Sequence, residues 1–210
     1  MPLLQVIRGL GAGFGNGASP GARLTTMADQ VVTGFYQAML LDGRGYQVRA
    51  GTITTPLTGD VAITDTAAEM CADAATGTTI LPFFMQVDIE ALGGTLPQVA
   101  AKSVATASTS GTAFVPLPLK SDGSAAVTTA RVQAAGAVTV TAELATTTPV
   151  HYIRTMAVAG DVQATWEPLA APVLVGPRCF YVQVGSASTG STYFGNFNYI
   201  EVPTLMVNPS

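Results

Sequence analysis

Four groups of residues have types and spacings from which chemistry could be built. Asp88 and Glu90 stand two apart in "FFMQVDIEAL", which puts both carboxylates on one face of a strand, about 6–7 Å apart. That separation falls in the range of a glycosidase acid pair, but no aromatic sugar platform adjoins it in sequence. The pair therefore reads as a solvated strand face or an intersubunit contact. His151 is the only histidine. No G-x-S-x-G elbow presents a serine to it, and one histidine excludes a zinc site with two or more His ligands. Cys71 and Cys179 are the only cysteines. They show no CxxC or Cys/His spacing for a metal and read as two buried free thiols. "GFGNGA", Gly13 to Ala18, matches G-x-G-x-x-A. A dinucleotide loop needs a helix to begin inside that motif. Here Ser19-Pro20-Gly21 follows, and proline biases Ser19 away from helical angles. No Lys-Ser/Thr pair makes a Walker loop. The expectation is a protein that is not an enzyme, with no catalytic residues, metal site, cofactor or small-molecule substrate.

Only 10% of the 210 residues are Asp, Glu, Lys or Arg, against about 25% in typical soluble domains. Mean hydropathy is +0.40. Ala, Thr, Gly, Ser and Val occupy the places that charges normally take. Such a surface belongs in a membrane or against other subunits. No run of 18 apolar residues occurs, and the apolar stretches are short, cut by Pro and Gly, and unlike regular amphipathic strands of an outer-membrane barrel. No membrane span is expected, which leaves burial in an assembly. Net charge is −4, lysine occurs only at Lys102 and Lys120, and no basic stripe exists, so no direct nucleic-acid grip is expected. The opening "MPLLQVIRGLGAG" makes a poor secretory signal.

The elements that would hold these residues follow from periodicity. Residues 1–26 read as a glycine-rich arm, flexible or ordered on a partner, and Met27 also reads as a second initiation site. Val31, Val32, Phe35, Tyr36, Met39 and Leu40 fall on one helical face. A leading helix is expected at about 27–41, capped by Thr26 and closed by Gly43. "DTAAEMCADAATG" reads as a second brief helix ending at Gly77. From Tyr46 onward the period is otherwise two. The long strand "TTILPFFMQVDIEALGG" sets Met85, Val87 and Ile89 against Gln86, Asp88 and Glu90. "GDVAIT" reads as a short strand, and Pro116 and Pro118 mark an edge. "RVQAAGAVTVTAEL" reads as one strand with a bulge or bend at Gly136. In "STYFGNFNYIEV", Tyr193, Phe197 and Tyr199 share one face and Phe194 and Ile200 the other. About nine or ten strands separated by turns predict a mainly β protein. Its form is an antiparallel β-sandwich or jelly roll over residues 27–210, with a Gly-rich N-terminal arm and one or two short helices.

A glycine-rich arm, a short helix and a charge-poor Ala/Thr/Val/Gly β-domain together resemble virion structural proteins of bacteriophages, whether single jelly-roll coat subunits or capsid-decorating proteins. The resemblance implies self-assembly without chemistry, location in the virion, and partners that are copies of the chain and other virion subunits. The interface candidates are Phe14 and Arg23 in the arm and Tyr193, Phe197 and Tyr199 in the aromatic strand. The alternative is a receptor- or carbohydrate-binding β-module of a tail or spike. Its signature would be an exposed aromatic cluster at 193–199.

Overall fold

The computed structural model describes residues 23–24, 30–31, 34–133, 137–142, 148–156 and 163–207. Its frame is eight strands: β1 (Gly45–Ala50), β2 (Met70–Ala74), β3 (Thr78–Ala91), β4 (Gln98–Val104), β5 (Val150–Thr155), β6 (Gln163–Trp166), β7 (Arg178–Gly185) and β8 (Thr192–Pro203). They hydrogen-bond as two antiparallel sheets, in the orders β1-β8-β3-β6 and β2-β7-β4-β5. The last strand lies beside the first, and successive strands switch sheets except β4 and β5, which pair with each other in one sheet. This is the eight-stranded jelly roll of two Greek keys. Short strands extend the sheets. Leu117–Pro118 pairs with β1, and Thr129–Val132 pairs with β2 and with Thr112–Phe114.

Strict alternation builds the core between the sheets. On β8, Tyr193, Phe197 and Tyr199 point inward, and on β3 so do Met85, Val87 and Ile89. From the opposite sheet come Phe180, Val182, Val99 and Ala101. Trp166 stacks on Phe180 with ring centroids 5.9 Å apart, and Phe180 meets Phe197 edge-on at 5.1 Å. Two outer layers complete the structure. Ala67–Ala68, Val138–Thr139 and Thr109–Ser110 form a small sheet, whose Ala68 and Val138 cover Cys71, Cys179 and Tyr181. On the far side, Ala38 and Met39 of helix α1 (Phe35–Leu41) cover Leu81, Ile200 and Val202.

Several sequence expectations need correction. The leading helix begins at Phe35, not Met27, and Gln30–Val31 is instead a two-residue strand paired with Arg23–Leu24. Gly34, the N-cap, has extended angles. A glycine there costs helix about 1 kcal/mol relative to Ala, and β-branched Val31 and Val32 favour extended chain. The helix end follows expectation. Gly43 has φ +77, its N–H bonds Leu40 O, and Arg44 N–H bonds Met39 O, both at 3.0 Å, the paired bonds of a Schellman motif. The expected helix at 65–77 is strand, Ala67–Ala68 and then β2. Met70 and Ala72 face the core while Cys71 faces the outer layer, and a segment covered on both sides loses its period-two signature. Gly77, φ +85, instead serves the tight turn in which Thr78 N–H bonds Ala75 O. "GDVAIT" contributes only one bridge, Asp60 to Gly185. "RVQAAGAVTVTAEL" divides, Arg131 and Val132 going to one sheet and Val138–Thr139 to another. Gly136, Thr26 and residues 1–22 lie outside the described residues.

The register can be tested with neighbours on opposite faces. Phe197→Ala is expected to lower the unfolding free energy by about 3–5 kcal/mol. Asn196→Ala, one residue away on the outer face, should stay within about 1 kcal/mol. Equal losses in denaturant unfolding would contradict the assigned faces.

Candidate functional site

The aromatic interface candidates Tyr193, Phe197 and Tyr199 are fully buried. Their alternation with Phe194, Asn196 and Asn198 sends them into the sandwich, so they form core and not a surface, and the exposed aromatic cluster expected of a sugar-binding module is absent at these three positions. Phe14 lies outside the described residues, and Arg23 is placed by its backbone alone, opposite Val31. His151 is half-buried at the end of the aromatic stack. Its Nε2 is 3.0 Å from Ser103 Oγ and its ring is 5.9 Å from that of Phe180. Burial, and then the charge of Arg178, holds its pKa below the ordinary value. Asp88 and Glu90 do share the outer face of β3. Asp88 Oδ2 accepts from Gln86 Nε2 and its Oδ1 from Gln163 Nε2, each at 2.7 Å, while Glu90 is exposed.

Among the described residues, three carboxylates that the sequence does not single out are buried, each gripping the backbone of a distant segment. Glu69 Oε2 accepts from Val184 N–H at 2.7 Å and Oε1 from Asp60 N–H at 3.3 Å. Asp73 accepts from Ser108 N–H at 2.8 Å and Ser108 Oγ at 2.6 Å. Glu201 accepts from Val127 N–H at 2.9 Å, Thr128 N–H at 2.8 Å and the Thr128 hydroxyl. A buried carboxylate is tolerated when donors replace its water. In Glu69 the balance falls the other way. Burial, with a smaller push from Asp60, raises its pKa to about 8 despite the lowering by its N–H donors. Glu201 left one trace in the sequence, an acid inside an apolar strand. Glu69 and Asp73 sit in an alanine-rich run that offers none.

Cys71, Asp73 and Cys179 bring three possible metal-donor atoms within 4.8 Å of one another. Both cysteines are free and buried, as expected, and Asp73 lies directly opposite Cys179 in the β2–β7 register. Their proximity comes from strand pairing, which no short spacing reveals. The surroundings favour a hydrogen-bonded relay over a cation. Ser108 Oγ donates to Asp73 and lies 3.0 Å from Cys71 Sγ, so the thiol is its donor. Arg131 Nε, 3.8 Å from Asp73 Oδ2, already supplies positive charge. Burial, followed by Cys71 and Asp73, pushes the Cys179 thiol well above its ordinary pKa, whereas a metal needs thiolate.

A further arrangement is a trough of about 220 Å³ on the outer face of the β1-β8-β3 sheet, lined by Arg49, Ile53, Gln86, Asp88, Phe194 and Asn196 among others. Helix α1 covers the other end of that same face and leaves this end open among the described residues. No described helix is long and apolar enough to cross a membrane. No protein-family model matches the sequence, and neither a curated protein nor a solved structure shows significant similarity to the chain.

Glu69 gives a pH dependence of defined sign. Its pKa rises from 4.5 to about 8 on folding, so the folded chain binds the proton more tightly. The stabilisation is full below 4.5 and is lost as pH rises through about 8. His151, whose folded pKa is lowered, acts in the opposite sense. The difference between the wild-type chain and Glu69→Gln therefore isolates the carboxyl. The stability advantage of the wild-type chain over the variant is expected to shrink steadily across that window in thermal unfolding. A pH-independent difference would contradict the assignment.

Proposed function

We propose that the chain is a virion structural protein that self-assembles into, or decorates, a phage capsid, with residues 1–26 locking neighbouring subunits. The observation carrying this reading is the surface of the jelly roll. Of nine basic and 13 acidic side chains, Lys102, Glu69, Asp73 and Glu201 are buried, which leaves at most 18 charged side chains for the exterior of the 210-residue chain. Apolar side chains stand out on it. β5, the edge of its sheet, exposes Val150 and Ile153, and at the Leu117–Pro118 edge of the other sheet Val115, Leu117 and Leu119 are exposed. A lone sheet usually blunts its edges with Lys, Pro or a covering segment. Pro118 does so at one edge, while β5 keeps its valine and isoleucine facing outward.

Such edges suit lateral contact with copies of the chain or companion subunits. A standard interface covers about 800 Å² per partner, and symmetry repeats each modest contact around a particle. Small Ala, Thr and Gly residues lose little side-chain entropy when buried there. The arm adds a second contact by ordering on a neighbour, paying its entropy only on docking. Deleting residues 1–26 is expected to leave the circular dichroism spectrum and unfolding midpoint of the domain intact while particle formation falls sharply. Normal assembly by the truncated chain would overturn the locking role.

A further inference from the structure

We infer that the polar trough on the outer face of the β1-β8-β3-β6 sheet is a binding site for a neutral glycan. The inference is independent of the assembly reading. Sugars present C–H patches beside rows of hydroxyls, so a site for them needs an apolar or aromatic wall next to planar groups that offer donors and acceptors side by side. The sheet assembles that set from four strands. In one cross-strand row Arg49, Asn196 and Gln86 lie side by side, with Thr165 next to Gln86. In the next row stand Phe194, Asp88 and Gln163, and beyond Asn196 along β8 Asn198 faces Gln47. The chain has nine Gln and four Asn, and five of these carboxamides meet on this one face.

The groups are held in place before any ligand arrives. Both Asp88 oxygens are tied, one to Gln86 and one to Gln163. Gln47 Nε2 donates to Asn198 Oδ1 at 3.1 Å, and Asn196 Nδ2 approaches the same oxygen at 3.5 Å. Side chains already fixed by one another lose less freedom on binding. Phe194, half-buried, and exposed Ile53 supply the apolar wall. Charge selects among glycans. Among the described residues Arg49 is the one cation of the trough, against Asp88 within it and Glu90 beside it. This balance disfavours uronic or sulfated sugars and nucleic acid and fits neutral hexoses and N-acetylhexosamines. A subunit contact is the poorer occupant, because interface cores are built of aromatic and aliphatic groups.

The test is an array of bacterial surface oligosaccharides, neutral and acidic, probed with the full chain and with Phe194→Ala and Asp88→Asn. Asp88→Asn preserves shape, so it remains informative if the Phe194 variant unfolds. Neutral oligosaccharides are expected to be retained and acidic ones not, with affinity falling at least about tenfold in each folded variant. Retention of no neutral glycan by the wild-type chain would overturn the inference. So would equal binding by the variants. Light scattering on the same samples reads assembly separately. Variants that change particle size while no glycan binds would mark the face as a subunit contact and also overturn it.

Discussion

The pairing of β8 with β3 is the constraint on which the other layers depend. Twelve residues of β8 run antiparallel to β3, with register shifts at Thr192/Tyr193 and Asn198/Tyr199. Because side chains alternate, that register decides three environments at once. The inward set, Tyr193, Phe197 and Tyr199, makes the core. The outward set divides along the strand, with Phe194 and Asn196 lining the trough, Asn198 bonded to Gln47 beside it, and Ile200 and Val202 lying under helix α1. Glu201 clamps the 127–128 segment from the same strand. A slip of one residue would expose the tyrosines and bury the amides.

The buried carboxylates tie this frame to its loops. Each joins segments far apart in sequence: Glu69 to Val184, Asp73 to Ser108, Glu201 to Thr128. A polar clamp of this kind specifies which loop packs where, because an unpaired carboxylate in its place would be strongly destabilising. The same clamps draw charge away from a surface that has little. Outside, few charges such as Glu90, Asp122 and Glu167 are spread among Thr and Ala residues and the exposed aliphatics of the sheet edges. On the proposed reading, that exterior is where other subunits make contact.

Much of this architecture was legible in the residue pattern, because half-covered strands keep a strict period of two. β3 and β8 read clearly, as did the outward facing of Gln86, Asp88 and Glu90 and the glycine closing helix α1. Where both faces are covered the pattern vanishes, and β2 with its Met70, Cys71 and Ala72 reads as helix. Apolar spacing alone also overextends helix α1 across Gly34. The faces of Tyr193, Phe197 and Tyr199 were legible, but which face points inward depends on the partner sheet. The gathering of Cys71, Asp73 and Cys179, the grip of Glu69 on Val184, and the amide rows of the trough arise from strand order, which local spacing does not encode.

The account rests on one claim, that so weakly charged a jelly roll is completed by contact with further subunits. Sedimentation velocity of the purified full-length chain, followed from micromolar to millimolar concentration, measures this directly. The account predicts defined oligomers or particles that grow with concentration through repeated lateral contacts. A compact, freely soluble monomer persisting at millimolar concentration, with no companion subunit able to shift it, would contradict it.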